Sequence, residues 1–240
     1  MIMRKILIGF VMGLAALSAQ ANVVIGTTRV VFNADKPITT VQLQNTGTAP
    51  SLIQSWLDFS EFNAVETGKK APFIITPPVT RIEADTRQTL RIRYTGEPLA
   101  QDRETLFYLN ILDVPPKPKK EQLAESGNYI QFAVRSRLKF FFRPANLPYS
   151  VNNAYEKVTW HIIDKKLVAK NPTPYFITYS GLSLLAKNAA QQDLEEGGMV
   201  APFSEHSFQL PKQPLQADSV EWHLINDYGG SQKGRSALQY

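Results

Sequence analysis

The segment at residues 129–144 constrains the fold more than any other stretch of this 240-residue chain. In its first half, Ile130, Phe132 and Val134 alternate with polar or small residues, which is the period of a β-strand with two different faces. Its second half, residues 138–142, is apolar apart from Lys139. A strand of this length exceeds the usual five or six residues. We predict one long strand whose C-terminal part closes a core and whose N-terminal part presents apolar side chains elsewhere. An ordinary core strand with an irregular start is the alternative.

Residues 1–21 have the pattern of a secretory signal peptide. Arg4 and Lys5 precede an apolar run, and Ala19 and Ala21 supply the small residues of a cleavage site. The run is too short to span a bilayer comfortably, so we expect export and cleavage after Ala21. Cleavage would lower the formal net charge from +5 to +3, because the 26 Lys and Arg lose two while the 21 Asp and Glu all remain.

The composition and the scattered reactive residues argue against several classes of function. The chain contains no cysteine, which excludes a thiolate nucleophile, an iron–sulfur cluster and a thiolate zinc site. The three histidines, His161, His206 and His223, lack the spacing of metal ligands. No glycine-rich phosphate loop or nucleophile elbow is present. We therefore predict no cofactor, no metal and no nucleic-acid partner, and an enzyme is the weakest class.

The rest of the chain shows short strand-like segments separated by turn residues, with no convincing helix. This pattern predicts antiparallel sandwiches, an all-β fold. We divide the chain into the signal peptide at residues 1–21, a first domain at 22–144 and a smaller second domain at 145–240. The predicted strands lie at residues 23–32, 41–44, 52–57, 73–76, 89–94, 107–111, 158–163, 167–170, 175–185, 207–210 and 220–225.

Several segments together resemble the periplasmic chaperones that assemble bacterial pili by the chaperone–usher route. Residues 101–110 (Gln-Asp-Arg-Glu-Thr-Leu-Phe-Tyr-Leu-Asn), followed by Pro115 and Pro116, resemble the most recognisable signature of that family. Residues 28–32 resemble its first strand and residues 76–83 its central turn. The match is completed by residues 139–144, 171–175 and 226–230. The resemblance spans nearly all of the chain after residue 21, in order.

The resemblance implies two immunoglobulin-like β-sandwich domains set at an angle, with a cleft between them. It also implies three groups of functional residues: a pair that anchors the C-terminal carboxylate of a pilus subunit, the apolar face of a donated strand, and a charge cluster across the domain junction. These groups map, in that order, onto Arg29 and Lys139; onto Ile130, Phe132 and Val134; and onto Glu104, Arg143 and Asp227.

The function implied is that of a periplasmic chaperone that binds, folds and caps pilus subunits, both pilins and adhesin, and delivers them to an outer-membrane usher. A subunit that lacks its final strand exposes a groove and unpaired backbone, and a lent strand would satisfy both. We also expect that the free chaperone can cover its exposed face by pairing with a second copy. The absence of cysteine matches the short-loop branch of the family, although the loop at residues 117–128 is longer than is common there.

Two other classes stay open at this point. An exported pair of sandwiches is also compatible with an adhesin or secreted binding module, or with an enzyme built on a β-sandwich. An adhesin would have a complete fold without an exposed apolar strand. An enzyme would need a catalytic constellation that the sequence does not reveal.

Overall fold

The computed structural model describes residues 22–59, 71–117, 130–188 and 190–239. These residues form two β-sandwich domains with separate hydrophobic cores, so the predicted fold class is confirmed. The buried residues of the first core lie between Val30 and Phe142, and those of the second lie between Tyr155 and Leu238. The boundary predicted between residues 144 and 145 stays a prediction, and the predicted signal peptide lies outside the described residues. Within the described ranges, no helix is long and apolar enough to cross a membrane.

The described residues of the first domain form nine strands in two sheets. The strands are β1 (Val23–Ile25), β2 (Arg29–Asn33), β3 (Thr39–Asn45), β4 (Ser51–Asp58), β5 (Phe73–Thr76), β6 (Val79–Ile82), β7 (Arg87–Tyr94), β8 (Thr105–Val114) and β9 (Val134–Arg143). One sheet has the order β1-β3-β7-β5 and the other has the order β2-β9-β8-β4-β6.

The first predicted strand, at residues 23–32, is divided between these two sheets. β1 pairs antiparallel with β3, whereas β2 pairs parallel with β9. The chain therefore crosses from one sheet to the other between Ile25 and Arg29. This crossing makes Arg29 the first residue of β2 and places it directly opposite Lys139.

The core of the first domain follows from alternation along β8 and β9. Phe107, Leu109 and Ile111 of β8 lie in the strand predicted at residues 107–111, and all three are buried. Leu138, Phe140 and Phe142 of β9 are buried on the same side, and aromatic rings from β2, β5 and β7 pack against them. Because successive side chains point to opposite faces, the odd-numbered residues of β9 lie on the outer face of this sheet.

In the part of the second domain that the structure describes, the chain forms one short helix and eight strands. They are α1 (Val151–Tyr155), β10 (Thr159–Ile163), β11 (Lys166–Asn171), β12 (Ile177–Leu185), β13 (Gln191–Asp193), β14 (Gly198–Val200), β15 (Ser204–Gln209), β16 (Ser219–Ile225) and β17 (Ser231–Gln239). The strand order is β13-β12-β16-β17-β10-β11-β15, and β14 also pairs with β12.

Three strands and one helix of the second domain were absent from the prediction. α1 has only five residues, too few for a helical period to show. β13 and β14 have three residues each. β17 is nine residues long, but Leu238 is its only buried side chain. It is held by backbone pairing with β16 on one side and β10 on the other, which hydrophobic alternation does not reveal.

The long strand predicted from residue 129 is wrong in its first part, because β9 begins at Val134. Its last pair with β8 joins Val134 to Asp113. β8 ends one residue later and is followed by Pro115 and Pro116, which have no amide hydrogen to continue the ladder. Of the loop predicted at residues 117–128, all but Lys117 lies outside the described residues, as does residue 129.

Candidate functional site

The N-terminal half of β9 has one open edge. β8 pairs with β9 from Val134 to Phe142, but β2 pairs with it only from Lys139 to Arg143. Within the described part of the chain, residues 134–138 therefore have a neighbouring strand on one side only. Such an edge carries unpaired backbone N–H and C=O groups and is a ready template for another strand.

The chain leading into this edge carries the predicted apolar face. The side chains of Ile130, Phe132 and Val134 are 76%, 74% and 54% exposed. Large apolar side chains clustered this way on a surface mark an interaction site. Their neighbours on the opposite face hold the segment to the domain: Gln131 Nε2 donates to the carbonyl oxygen of Pro115 at 2.6 Å, and Arg135 donates to Asn110.

Arg29 and Lys139 lie side by side where the open edge ends, and both reach the second domain. Arg29 is buried, its Nη1 donates to the carbonyl oxygen of Ile225 at 2.7 Å, and its guanidinium lies over the ring of Phe141. Burial lowers the pKa of Arg29, and the nearby Asp227 carboxylate offsets part of this effect. Lys139 Nζ donates to Thr178 Oγ1 at 3.4 Å.

Arg143, the last residue of β9, joins carboxylates of both domains. Its Nε donates to Glu104 Oε1 at 2.7 Å, and its Nη1 and Nη2 donate to the two oxygens of Asp227 at 2.6 and 2.9 Å. The other oxygen of Glu104 accepts the backbone N–H of Phe176 at 2.8 Å. The structure thus brings the three residues of the predicted charge cluster together between the domains.

Burial determines the direction of the pKa shift of Glu104, whereas charge pairing determines that of Arg143. Burial raises the pKa of Glu104 to about 6, and the opposing effects of Arg143 and the Phe176 amide do not cancel this rise. Burial also acts to lower the pKa of Arg143, but the hydrogen bonds and charges of Asp227 and Glu104 raise it above its ordinary value. Arg143 is therefore positively charged throughout the pH range in which Glu104 titrates.

A second polar cluster on the outer face of the sheet was missed by the sequence reasoning. Asp58, at the end of β4, and Asn110, in the middle of β8, are both buried. They contact Arg135 and Arg137 of β9. The available signal was a polar residue at an otherwise apolar stretch of each strand, but only the pairing of β4, β8 and β9 brings these residues together.

The three histidines do not form a metal site. Across the residues that the structure describes, no group of three or more His, Cys, Asp or Glu side chains could hold a metal ion. His223 faces Glu221 and His161 faces Thr159, each within its own strand.

Comparison with known families identifies the class of protein. The chain matches the N-terminal domain of the PapD pili and flagellar-assembly chaperones over residues 22–148, and the C-terminal domain of the pili assembly chaperone PapD over residues 153–236. It belongs to this family of pilus-assembly chaperones, which confirms the predicted resemblance.

Individual relatives agree with this assignment. The chain is 44% identical over 227 residues to the chaperone protein HifB of Haemophilus influenzae. The aligned region covers 94% of this chain and 92% of HifB. It superposes on the CupB2 chaperone of Pseudomonas aeruginosa with a TM-score of 0.75 and 37% identity, over 90% of this chain and 100% of that one. It also matches a chain of the Salmonella enterica complex of the SafA pilin with the SafB chaperone, with a TM-score of 0.77 and 25% identity, over 92% of this chain and 98% of that one.

We predict that Arg143→Ala lowers the free energy of unfolding by about 3–5 kcal/mol, because it leaves the buried Glu104 and the neighbouring Asp227 without their cation. Urea titration measures this change. Arg81→Ala is the matched control, since Arg81 pairs with Glu83 on the surface and its loss should cost about 1 kcal/mol or less. Unfolding curves of Arg143→Ala that overlay the wild type would show that the cluster does not hold the fold.

The pKa of Glu104 predicts a pH effect on stability. Its folded value of about 6 exceeds its ordinary value of 4.5, so between these values the folded protein binds more protons than the unfolded chain. Stability from this group is therefore greatest at low pH and falls as the pH rises through the window, by about 2 kcal/mol in total. Glu104→Gln should remove this slope when unfolding free energies are measured from below to above the window. If the unfolding free energies of the wild type and Glu104→Gln changed with pH in the same way, Glu104 would not be the group responsible.

Proposed function

We propose that this chain is a periplasmic chaperone that captures pilus subunits by lending them residues 130–138 and holding their C-terminal carboxylate. The observation that carries the proposal is an open strand edge that continues into an exposed apolar face and ends at two adjacent cations. The predicted signal peptide supports the periplasm as the location. A relative of the same family has been solved with a pilin bound, which supports a pilus subunit as the guest.

The pairing of β9 determines how a guest strand would fit. A strand added beside residues 134–138 would occupy the place in line with β2, and it would meet the start of β2 at Arg29. A chain that ends there presents its terminal carboxylate to Arg29 and Lys139. The guest strand would then run parallel to β9, as β2 does, with its C-terminus at the cations.

The apolar side chains provide the second part of the grip. Filling the groove of an incomplete subunit with Ile130, Phe132 and Val134 would contribute roughly 1.5–3 kcal/mol for each residue, before the cost of ordering the segment. The pairing of the guest carboxylate with Arg29 and Lys139 also fixes the register of the guest strand. A shift of one residue would turn every guest side chain to the wrong face, and it would move the carboxylate away from its donors.

The proposal extends to what happens before and after capture. The exposed apolar face of the free protein would invite association, so we propose that a second copy covers it until a subunit arrives. After capture, the chaperone would deliver the subunit, pilin or adhesin, to an outer-membrane usher.

We predict that Lys139→Ala and Arg29→Ala each weaken subunit binding by about 2–5 kcal/mol, as expected when one partner of a buried charge pair is truncated. The measurement is the amount of subunit recovered from the periplasm with each tagged variant, together with its melting temperature. Lys166→Ala, an exposed lysine on β11 of the second domain, is the control and should behave as the wild type. Recovery of subunit with Lys139→Ala at the wild-type level would contradict the anchor.

We predict that Phe132→Glu abolishes subunit capture while the free protein stays folded, because Phe132 is exposed and no core depends on it. Gln131→Glu places the same charge one residue away on the opposite face and should matter much less. Subunit recovery and unfolding midpoint are measured for both variants. Unfolding of the first domain by Phe132→Glu, or equal capture by the two variants, would show that the face assignment is wrong.

A further inference from the structure

The alternation of side chains along the guest strand does not exclude binding in a register shifted by two residues. A shift of one residue reverses the faces of the guest strand, but a shift of two residues restores them. The guest cannot move toward the C-terminal end of β9, because β2 begins there at Arg29. It can move in the other direction, toward Val134. A shift of two residues would then bring its terminal carboxylate beside Arg137, and a shift of four residues would bring it beside Arg135.

Both arginines would otherwise be good carboxylate sites. They lie on the same outer face of β9 as Lys139, spaced by about 6.6–6.8 Å along the strand. The guanidinium of Arg137 lies 4.0 Å from the ring centre of Tyr108, and that of Arg135 lies 5.1 Å from the ring centre of Trp56. These contacts hold the guanidinium groups in fixed positions, and a fixed guanidinium binds a carboxylate with good geometry.

Asp58, which is buried in the same sheet, forms ion pairs with both arginines. Its Oδ1 accepts Arg137 Nη2 at 3.0 Å, and its Oδ2 lies 3.6 Å from Arg135 Nη2. Asn110 completes the arrangement: its Nδ2 donates to Asp58 Oδ2 at 2.8 Å, and its Oδ1 accepts Arg135 Nε and Nη2 at 3.0 and 2.6 Å. A shifted guest carboxylate would have to share these arginines with the buried negative charge of Asp58, and like charges brought together disfavour such a complex.

We propose that Asp58 determines the register in which a subunit is captured. It engages Arg135 and Arg137, so that the terminal carboxylate of the guest binds only where Arg29 and Lys139 meet. Asp58 acts through the two arginines and is a positioning residue that does not touch the guest. The proposal rests on the proposed function. It adds a reason why the guest strand does not bind in a register shifted by two residues toward Val134.

The test is a gain of binding, which a merely structural residue would not produce. The probe is a labelled peptide with the C-terminal strand of the pilin that co-purifies with the wild-type chain, made with a free or an amidated C-terminus. In the Lys139→Ala background, adding Asp58→Asn should remove the competing negative charge beside Arg137 and tighten binding of the free-carboxylate peptide by about tenfold relative to Lys139→Ala alone. The amidated peptide should show no gain, and a further Arg137→Gln should cancel it.

Controls separate the possible failures. Asp58→Ser is made in parallel, because its small side chain leaves room for water beside Arg137, and it should give the same gain. Asp102→Asn, which removes a surface carboxylate that pairs with Arg103, should give none. No gain in either Asp58 variant, or a gain that survives Arg137→Gln, would overturn the register proposal alone. Equal binding of both peptides to the wild type would overturn the anchoring function, and the register proposal with it.

Discussion

The parallel pairing of β2 with only the second half of β9 is the constraint on which the rest of the structure depends. Because β2 begins at Arg29, opposite Lys139, it closes the sheet beyond that point and leaves residues 134–138 with an open edge. The same crossing of the first strand therefore leaves a strand position empty beside β9 and places Arg29 next to Lys139 at the end of that position. A complete first strand in this sheet would have removed the site.

β9 connects this edge to the second domain. Along one strand the chain passes from the open edge to Lys139 and then to Arg143, which bonds Glu104 of its own domain and Asp227 of the other. The hydrogen bonds of Arg29 to Ile225 and of Lys139 to Thr178 also cross between domains. Arg29, Lys139 and Arg143 thus each make a polar contact with the second domain.

Much of this arrangement was predictable because it follows local rules. The apolar run at residues 138–142 predicted the part of β9 that closes the core, and alternation predicted a shared face for Ile130, Phe132 and Val134, which is exposed. The start of β9 was not predictable, because it depends on where β8 ends and meets Pro115. β17 was missed because pairing on both sides, and not burial of apolar side chains, makes it a strand. Asp58 was missed because its partners lie on another strand, far away in the sequence.

Amide hydrogen exchange of the free chaperone and of its complex with a subunit tests the central claim most directly. Strand addition at the open edge predicts that the amides of residues 130–133, and those of residues 134–138 that point away from β8, exchange rapidly in the free monomer and become protected in the complex. Those of β8, which are already paired between β4 and β9, should change little. Protection that appears on another edge, such as β6, while the open-edge amides of residues 130–138 continue to exchange rapidly, would contradict the account.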